Sequence, residues 1–228
     1  MLLEIACFNT ESALLAQQSG ADRIELCENY FLGGITPHEE VIKITREKIN
    51  VELFVMIRPR EGNFTYTTDE FQNMKQQIQR CKELNCDGVV FGILDSQNKI
   101  DKSRCRELVQ LAAPLPCTFH RAFDEVSDPI SSLEDIIECG FKRILTSGQK
   151  QSAIKGADLI SQLQQKARGR IIIIPGGGVR SQNIHELKVK TGVSEFHSSA
   201  ITGNDILVDP REVKNLKESL MAYINKAD

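Results

Sequence analysis

Eight times along the chain, a short run of β-branched and other apolar residues ends in a polar or glycine-rich cluster and is followed by a helix-patterned segment. The runs are Leu2 to Cys7, Asp22 to Cys27, Val51 to Ile57, Gly88 to Gly92, Pro116 to Asp124, Lys142 to Gly148, Arg170 to Gly178 and Ser194 to Ser198. Phe54-Val55-Met56-Ile57, Val89-Val90-Phe91 and Ile171-Ile172-Ile173-Ile174 are apolar at consecutive positions, as parallel strands covered on both faces must be. Between the runs the period changes. Phe71, Met74, Ile78 and Cys81 fall on one side of a predicted third helix, and Val213, Leu216, Leu220 and Ile224 on one side of the last.

Helix starts are marked independently of that periodicity. Thr36-Pro37-His38-Glu39 and Asp209-Pro210-Arg211-Glu212 each offer an N-cap, a proline at the first helical position and a glutamate able to reach back. Asp128-Pro129 supplies the first two of these, and Thr67 with Glu70 predicts a capping box. Eight strand-helix units with right-handed crossovers can close on themselves, whereas an open doubly wound sheet more usually stops at five or six strands. The pattern predicts an α/β chain forming a single (β/α)8 TIM barrel, one domain over residues 1–228, with no linker to divide it. In such a barrel the polar clusters gather on one face, where the chemistry is kept.

Composition narrows the partners. A hydrophobic content of 41%, a charged content of 26% and a net charge of -3 are ordinary for a globular protein and give no electrostatic reason to expect nucleic acid or an anionic membrane. A small-molecule partner is the expectation. The start MLLEIACF has no basic residue before its apolar stretch and carries Glu4 inside it, so neither a signal peptide nor a membrane span is predicted, and the expected location is cytoplasmic. Seven cysteines without a C-x-x-C pair argue against a disulfide framework or a structural zinc site.

Several strand ends carry groups that core packing does not require. Glu25 shares a strand face with Arg23 and Cys27, and a carboxylate pointing into a barrel must be paired. Arg58 and Arg60, ending the third run, are its expected partners. In Thr118-Phe119-His120-Arg121-Ala122-Phe123-Asp124, the residues Thr118, His120 and Asp124 share strand parity, and a strand-end histidine suits acid-base work, anion donation or metal ligation. Gly176, Gly177 and Gly178 precede a predicted helix, and His197 and Ser198 end the eighth strand; close backbone approach and a helix N-terminus suit an anion there. Thr146, Ser147 and Gly148 would border the same pocket. Glu25, Arg58, His120 and Asp124 are thus the candidate catalytic groups, with Arg60 and the strand six to eight residues as candidate ligand binders. A structural ion-pair network is the plain alternative. Cys7 and Cys27 end adjacent strands, where two thiolates could hold a soft ion such as Cu(I), although Cys7 lies on the face opposite Glu4 if strand geometry persists to its end.

The strings IELC (24–27), GGITP (33–37), MIRPR (56–60), DGVVFGIL (87–94), TFHRAFD (118–124), RILTSG (143–148), PGGGV (175–179) and EFHSS (195–199), in this order and spacing, closely resemble the CutC family of copper homeostasis proteins. The resemblance spans essentially the whole chain. It implies a cytoplasmic TIM barrel that forms homo-oligomers, a role in copper handling, and Cu(I) held by Cys7 and Cys27; no organic cofactor is expected. Three functions stand side by side at this point: a copper-binding homeostasis protein; a TIM-barrel enzyme acting on a small anionic metabolite, phosphorylated or not; and a non-catalytic binding or assembly protein.

Overall fold

The computed structural model describes residues 1–203 and 205–221 and contains the eight predicted units. Strands β1 (Leu2–Cys7), β2 (Arg23–Leu26), β3 (Glu52–Met56), β4 (Gly88–Phe91), β5 (Cys117–Phe119), β6 (Arg143–Thr146), β7 (Ile172–Pro175) and β8 (Glu195–Ser198) pair in parallel in the order β7-β6-β5-β4-β3-β2-β1-β8. With β7 beside β8, the sheet forms a nearly closed barrel. Helices α1 (Thr10–Gln18), α2 (Glu39–Lys48), α3 (Thr68–Glu83), α4 (Lys102–Ala112), α5 (Pro129–Cys139), α6 (Ala157–Ala167), α7 (Ile184–Thr191) and α8 (Pro210–Met221) return the chain. Among the described residues no helix is long and apolar enough to cross a membrane.

Strand parity decides which side chains meet. Outward-facing Leu3, Ile5, Ile24, Leu26, Leu53, Val55, Ile144, Ile173 and Phe196 are wholly buried in one continuous core between sheet and helices. Phe71, Met74, Ile78 and Cys81 of α3 and Val213, Leu216 and Leu220 of α8 complete it, as their spacing predicts. Ile224 lies outside the described residues. The inward positions are of a different kind. They carry a small apolar group, Cys27, Phe54, Met56 and Val90, and beneath it a charged layer.

That layer follows from register. Glu4 is level with Arg23 on one side and His197 on the other. Arg23 Nε donates to Glu4, and Arg23 Nη2 and Arg143 Nε both donate to Glu195 Oε2, at 2.6 and 3.1 Å. Both guanidinium carbons also stand over the Phe54 ring, at 4.9 and 5.1 Å. Gly88 makes room for this ring, since a Cβ there would lie 2.5 Å from it. Two cations and two carboxylates therefore balance one another in the barrel interior, as buried charges must.

Most helix starts form as expected. Thr67 and Glu70 make both bonds of a capping box, Asp128 caps α5 before Pro129, and Pro210 opens α8. Two expectations need correction. Thr36 does not cap α2: the helix starts two residues later than Pro37, at Glu39, and Thr36 Oγ1 instead accepts the Arg58 N–H at 2.8 Å and donates to Gln77. The fifth run does not stay extended to Asp124. β5 stops at Phe119, and His120 caps a 3-10 turn over Arg121–Glu125, so the shared parity of His120 and Asp124 has no meaning there.

Candidate functional site

A cavity of about 220 Å³ opens at the carboxyl ends of the strands. Its volume is below the roughly 300–1,000 Å³ of clefts for drug-sized ligands, so it suits a small one. Glu25 and His197 stand at its inner end, Phe8, Met56, Phe64 and Leu145 give it apolar sides, and Arg58, Arg121 and Arg180 supply positive charge.

The inner end is an acid-base cluster. His197 Nδ1–H donates to Glu4 Oε1 at 2.6 Å and stands 3.3 Å from Glu25 Oε2. Burial alone would raise Glu4, but the Arg23 charge and the His197 hydrogen bond outweigh it and hold the carboxyl at about 2. Glu25 has no such cation to itself. Burial pushes it up, the neighbouring Glu4 charge adds to this, and the opposing pull of His197 leaves it at about 7. Burial also works against the imidazolium of His197, yet Glu25 and Glu4 together raise its pKa. One carboxyl is thus permanently ionised and the other is poised near neutrality, the separation that acid-base chemistry uses. Glu4, Glu25 and His197 each bring one ligand atom within 4.8 Å of the others, a geometry that could hold a metal ion.

The glycine turn after β7 and the end of β8 form the other side. Gly177 and Gly178 take positive φ of 97° and 69°, a conformation glycine adopts freely, and their amides have no protein acceptor among the described residues. Arg180 Nη1 donates to Ser198 Oγ at 3.1 Å, and Arg180 Nη2 to the Ile201 carbonyl at 2.9 Å. Arg121 is aimed by Asp124, whose Oδ2 accepts its Nε at 2.8 Å. Amides and two guanidiniums around one end of a small cavity favour an anion.

The remaining predicted residues divide into support and distance. Asp124 also accepts Thr146 Oγ1 at 2.5 Å and the Ser147 amide at 2.9 Å, so its oxygens are committed and it positions Arg121 without lining the cavity. Gly148 packs backbone against backbone; a Cβ there would lie 2.3 Å from the Gly156 carbonyl oxygen. Gly176 leaves space for Leu145 and His197. Arg58 does not pair with Glu25. Its Nη1 donates to the carbonyls of Leu32 (3.2 Å) and Gly34 (3.0 Å), its Nη2 to that of Gly62 (3.0 Å), and it stacks on Phe64. Arg60 points away from the cavity, to Glu70 at 2.6 Å and to the Tyr66 ring. The partner of Glu25 is His197, which the sequence reading had placed only in the anion pocket.

The two thiols do not face each other. Cys7 belongs to the outer core and donates to the Ile5 carbonyl at 3.6 Å, whereas Cys27 faces the cavity and donates to Glu25 Oε1 at 3.6 Å. Strand geometry persists through Cys7, so parity separates them. Burial, followed by the Glu25 charge, pushes both thiols up. Sequence reasoning missed Arg121 and Arg180 as cavity residues. Arg180 follows the triple glycine by two positions, and that spacing was the available signal. The apolar sides contributed by Phe8 and Phe64 come from loops, where no period announces them.

The CutC family model matches residues 1–202. The mouse copper homeostasis protein cutC homolog is 45% identical over 204 residues, covering 90% of this chain and 75% of that protein. The CutC protein of Streptococcus agalactiae superposes with a TM-score of 0.82 at 37% identity, over 89% of this chain and 100% of that one. Phosphoribosylanthranilate isomerase of Thermotoga maritima superposes with a TM-score of 0.67 at 14% identity, over 97% and 99%, a likeness of fold alone.

Proposed function

The chain belongs to the CutC family, and from that premise we propose that its barrel mouth binds a small anionic metabolite and moves a proton on it. The observation that carries this reading is the pairing, in one cavity, of a carboxyl poised near pH 7 with the Arg121 and Arg180 guanidiniums. The anionic group lies against Gly177, Gly178, Arg121 and Arg180, and the reacting atoms lie toward Glu25 and His197. A phosphate or carboxylate fits the donors equally well. The setting is cytoplasmic, in keeping with seven free thiols, and the active form is a homo-oligomer.

A thermal-shift screen of metal-free protein against phosphorylated and carboxylated metabolites tests the reading. A ligand at about 100 times its Kd adds about 2.7 kcal/mol, a midpoint rise of about 5 to 10 °C for this size. Arg180→Ala should abolish the rise. Silence across a broad panel, or shifts indifferent to Arg180, would count against an anion site.

A second reading follows from the names of the relatives and from Cys27, which opens on the cavity with His197. A thiolate and an imidazole are ligands for Cu(I), and copper would then be the cargo of the same pocket. Anaerobic titration with Cu(I) distinguishes the two thiols: Cys27→Ser should lower affinity and Cys7→Ser should not. Loss with both variants would restore the two-thiol site that the family resemblance implies.

A further inference from the structure

His120 is the cavity residue that the proton-transfer reading leaves without a task. It sits at the carboxyl end of β5, and its ring packs against Phe64 with centroids 4.8 Å apart. Gly92, on the adjacent strand connection, is what lets the ring lie there: a Cβ at position 92 would stand 2.8 Å from His120 Nδ1 and 2.9 Å from Cε1. The ring's orientation is also fixed chemically. Nδ1 accepts the Ala122 N–H at 3.2 Å, so Nδ1 carries the lone pair and the proton of the neutral ring is on Nε2. That Nε2–H is buried and has no acceptor among the described residues. A buried donor without a partner is costly, and it calls for an explanation.

We propose that His120 is a fixed neutral donor to a carbonyl or carboxylate oxygen of the ligand, and that the substrate is an anionic carbonyl compound with a hydrogen on the carbon beside the carbonyl. The inference rests on the anion-binding reading above and adds the reaction class. Burial and the nearby Arg58 charge keep the imidazole from taking a second proton until about pH 3, so His120 donates a hydrogen bond and does not shuttle a proton. Glu25, on β2, lines the same cavity with its Oε2 3.3 Å from His197 Nδ1. In the step that follows, the Glu25 carboxylate takes the proton from the carbon beside the carbonyl. The C–H electron pair becomes the C=C bond of an enolate, and the C=O π pair moves onto oxygen, where the Nε2–H donor meets the new negative charge. Return of the proton from the Glu25 carboxyl to carbon closes the cycle without an oxidant, a reductant or a second substrate. Return to the same carbon on the face it left restores the substrate with its hydrogen exchanged; return to the former carbonyl carbon of a hydroxy-carbonyl, with the hydroxyl proton passing directly to the enolate oxygen as the second C=O forms, gives isomerisation.

Two measurements test this. In the ligand-free protein, long-range proton-nitrogen NMR should show His120 as the Nε2–H tautomer, unchanged between pH 5 and 8; an Nδ1–H tautomer or a titrating ring would overturn the assignment. Binding of phosphoglycolate, which has an acceptor oxygen beside its phosphate-bearing carbon, is then compared with that of ethyl phosphate, which has none. The wild type should prefer phosphoglycolate by at least about tenfold, the scale of one hydrogen bond to a charged acceptor. His120→Asn keeps an acceptor near Ala122 but has no donor at the Nε2 position, and it should bring the ratio to near one while ethyl phosphate binds within twofold of wild type. His120→Gln carries an amide N–H at the Nε2 position and should recover part of the preference. A preference retained in His120→Asn would sink the proposal and leave the anion site standing, whereas failure of both probes to bind the wild type would remove the anion site and this inference with it.

Discussion

His197 Nδ1 lies 3.3 Å from Glu25 Oε2 while donating at 2.6 Å to Glu4 Oε1, so a single imidazole is divided between two carboxyls. Glu4 has Arg23 as well and stays ionised; Glu25 has its share of the ring and the weak Cys27 thiol donor, and gives up its proton near pH 7. The consequence for stability has a definite sign. Because the folded-state pKa of Glu25 is raised above its ordinary 4.5, its contribution is full below that value and is lost as the pH rises through about 7. Glu25→Gln removes the loss. Urea unfolding should show the variant gaining on the wild type between pH 5 and pH 8 by on the order of 3 kcal/mol, and equal stabilities at both pH values would contradict the arrangement.

His120 predicts the opposite limb. Its folded-state pKa is depressed from 6.5 to about 3, so the unfolded chain binds the proton more readily across that interval. The stability tied to the neutral ring is present above about pH 6.5 and is lost as the pH falls toward 3. Replacing His120 with Asn should flatten the acid limb of a stability-pH curve between pH 6.5 and 4. An unchanged slope there would mean that the ring is not held neutral.

Arg23 is the keystone of the charged layer, fully buried and bonded to both Glu4 and Glu195. Arg23→Ala leaves Glu4 with His197 alone and Glu195 with Arg143 alone, an uncompensated negative charge in the barrel interior, and should cost about 3–5 kcal/mol. The double replacement Glu4→Gln, Arg23→Met, which leaves Arg143 and Glu195 as a pair, should recover a large part of that loss by removing one cation and one anion together. Denaturant titration of the set separates charge from volume: if the double variant is no better than Arg23→Ala, packing against Phe54 and not charge balance is what Arg23 provides.

Two glycines make a matched comparison. Gly148 and Gly169 both take positive φ, 68° and 75°, yet a Cβ at Gly148 would lie 2.3 Å from a backbone oxygen and one at Gly169 meets nothing within 4 Å. Gly169→Ala should therefore cost about 1 kcal/mol for its backbone conformation alone. Gly148→Ala should cost several times more and should move the Ser147 region that Asp124 holds. Similar thermal midpoints for the two would show that the turn at Gly148 adjusts freely.

The barrel was legible because its signals are local and repeated. Each strand run and each amphipathic helix face is written within a dozen residues, and parity set Glu25 and Cys27 on one strand face and Cys7 on the face opposite Glu4. What the sequence did not disclose depends on where chains leave regular structure. His120 to Asp124 looks extended in sequence but turns at once, since the His120 ring caps the turn that follows and Asp124 is drawn to the Ser147 amide. Arg58 and Arg60 are two apart and similar in type, yet loop carbonyls capture the first and Glu70 the second. Long, flexible cations take whichever acceptor the loops present, and no spacing rule encodes that choice.

The charged layer beneath the cavity also decides how traffic must run. With Arg23, Arg143, Glu4, Glu195 and Phe54 filling the barrel below Glu25, the chamber is a cup and not a tunnel. Whatever reaches Glu25 departs past the same Arg121 and Arg180 that admitted it. On the proton-transfer reading proposed above, arrival and departure share one charged doorway, and a product that keeps its anionic group would compete directly with incoming substrate.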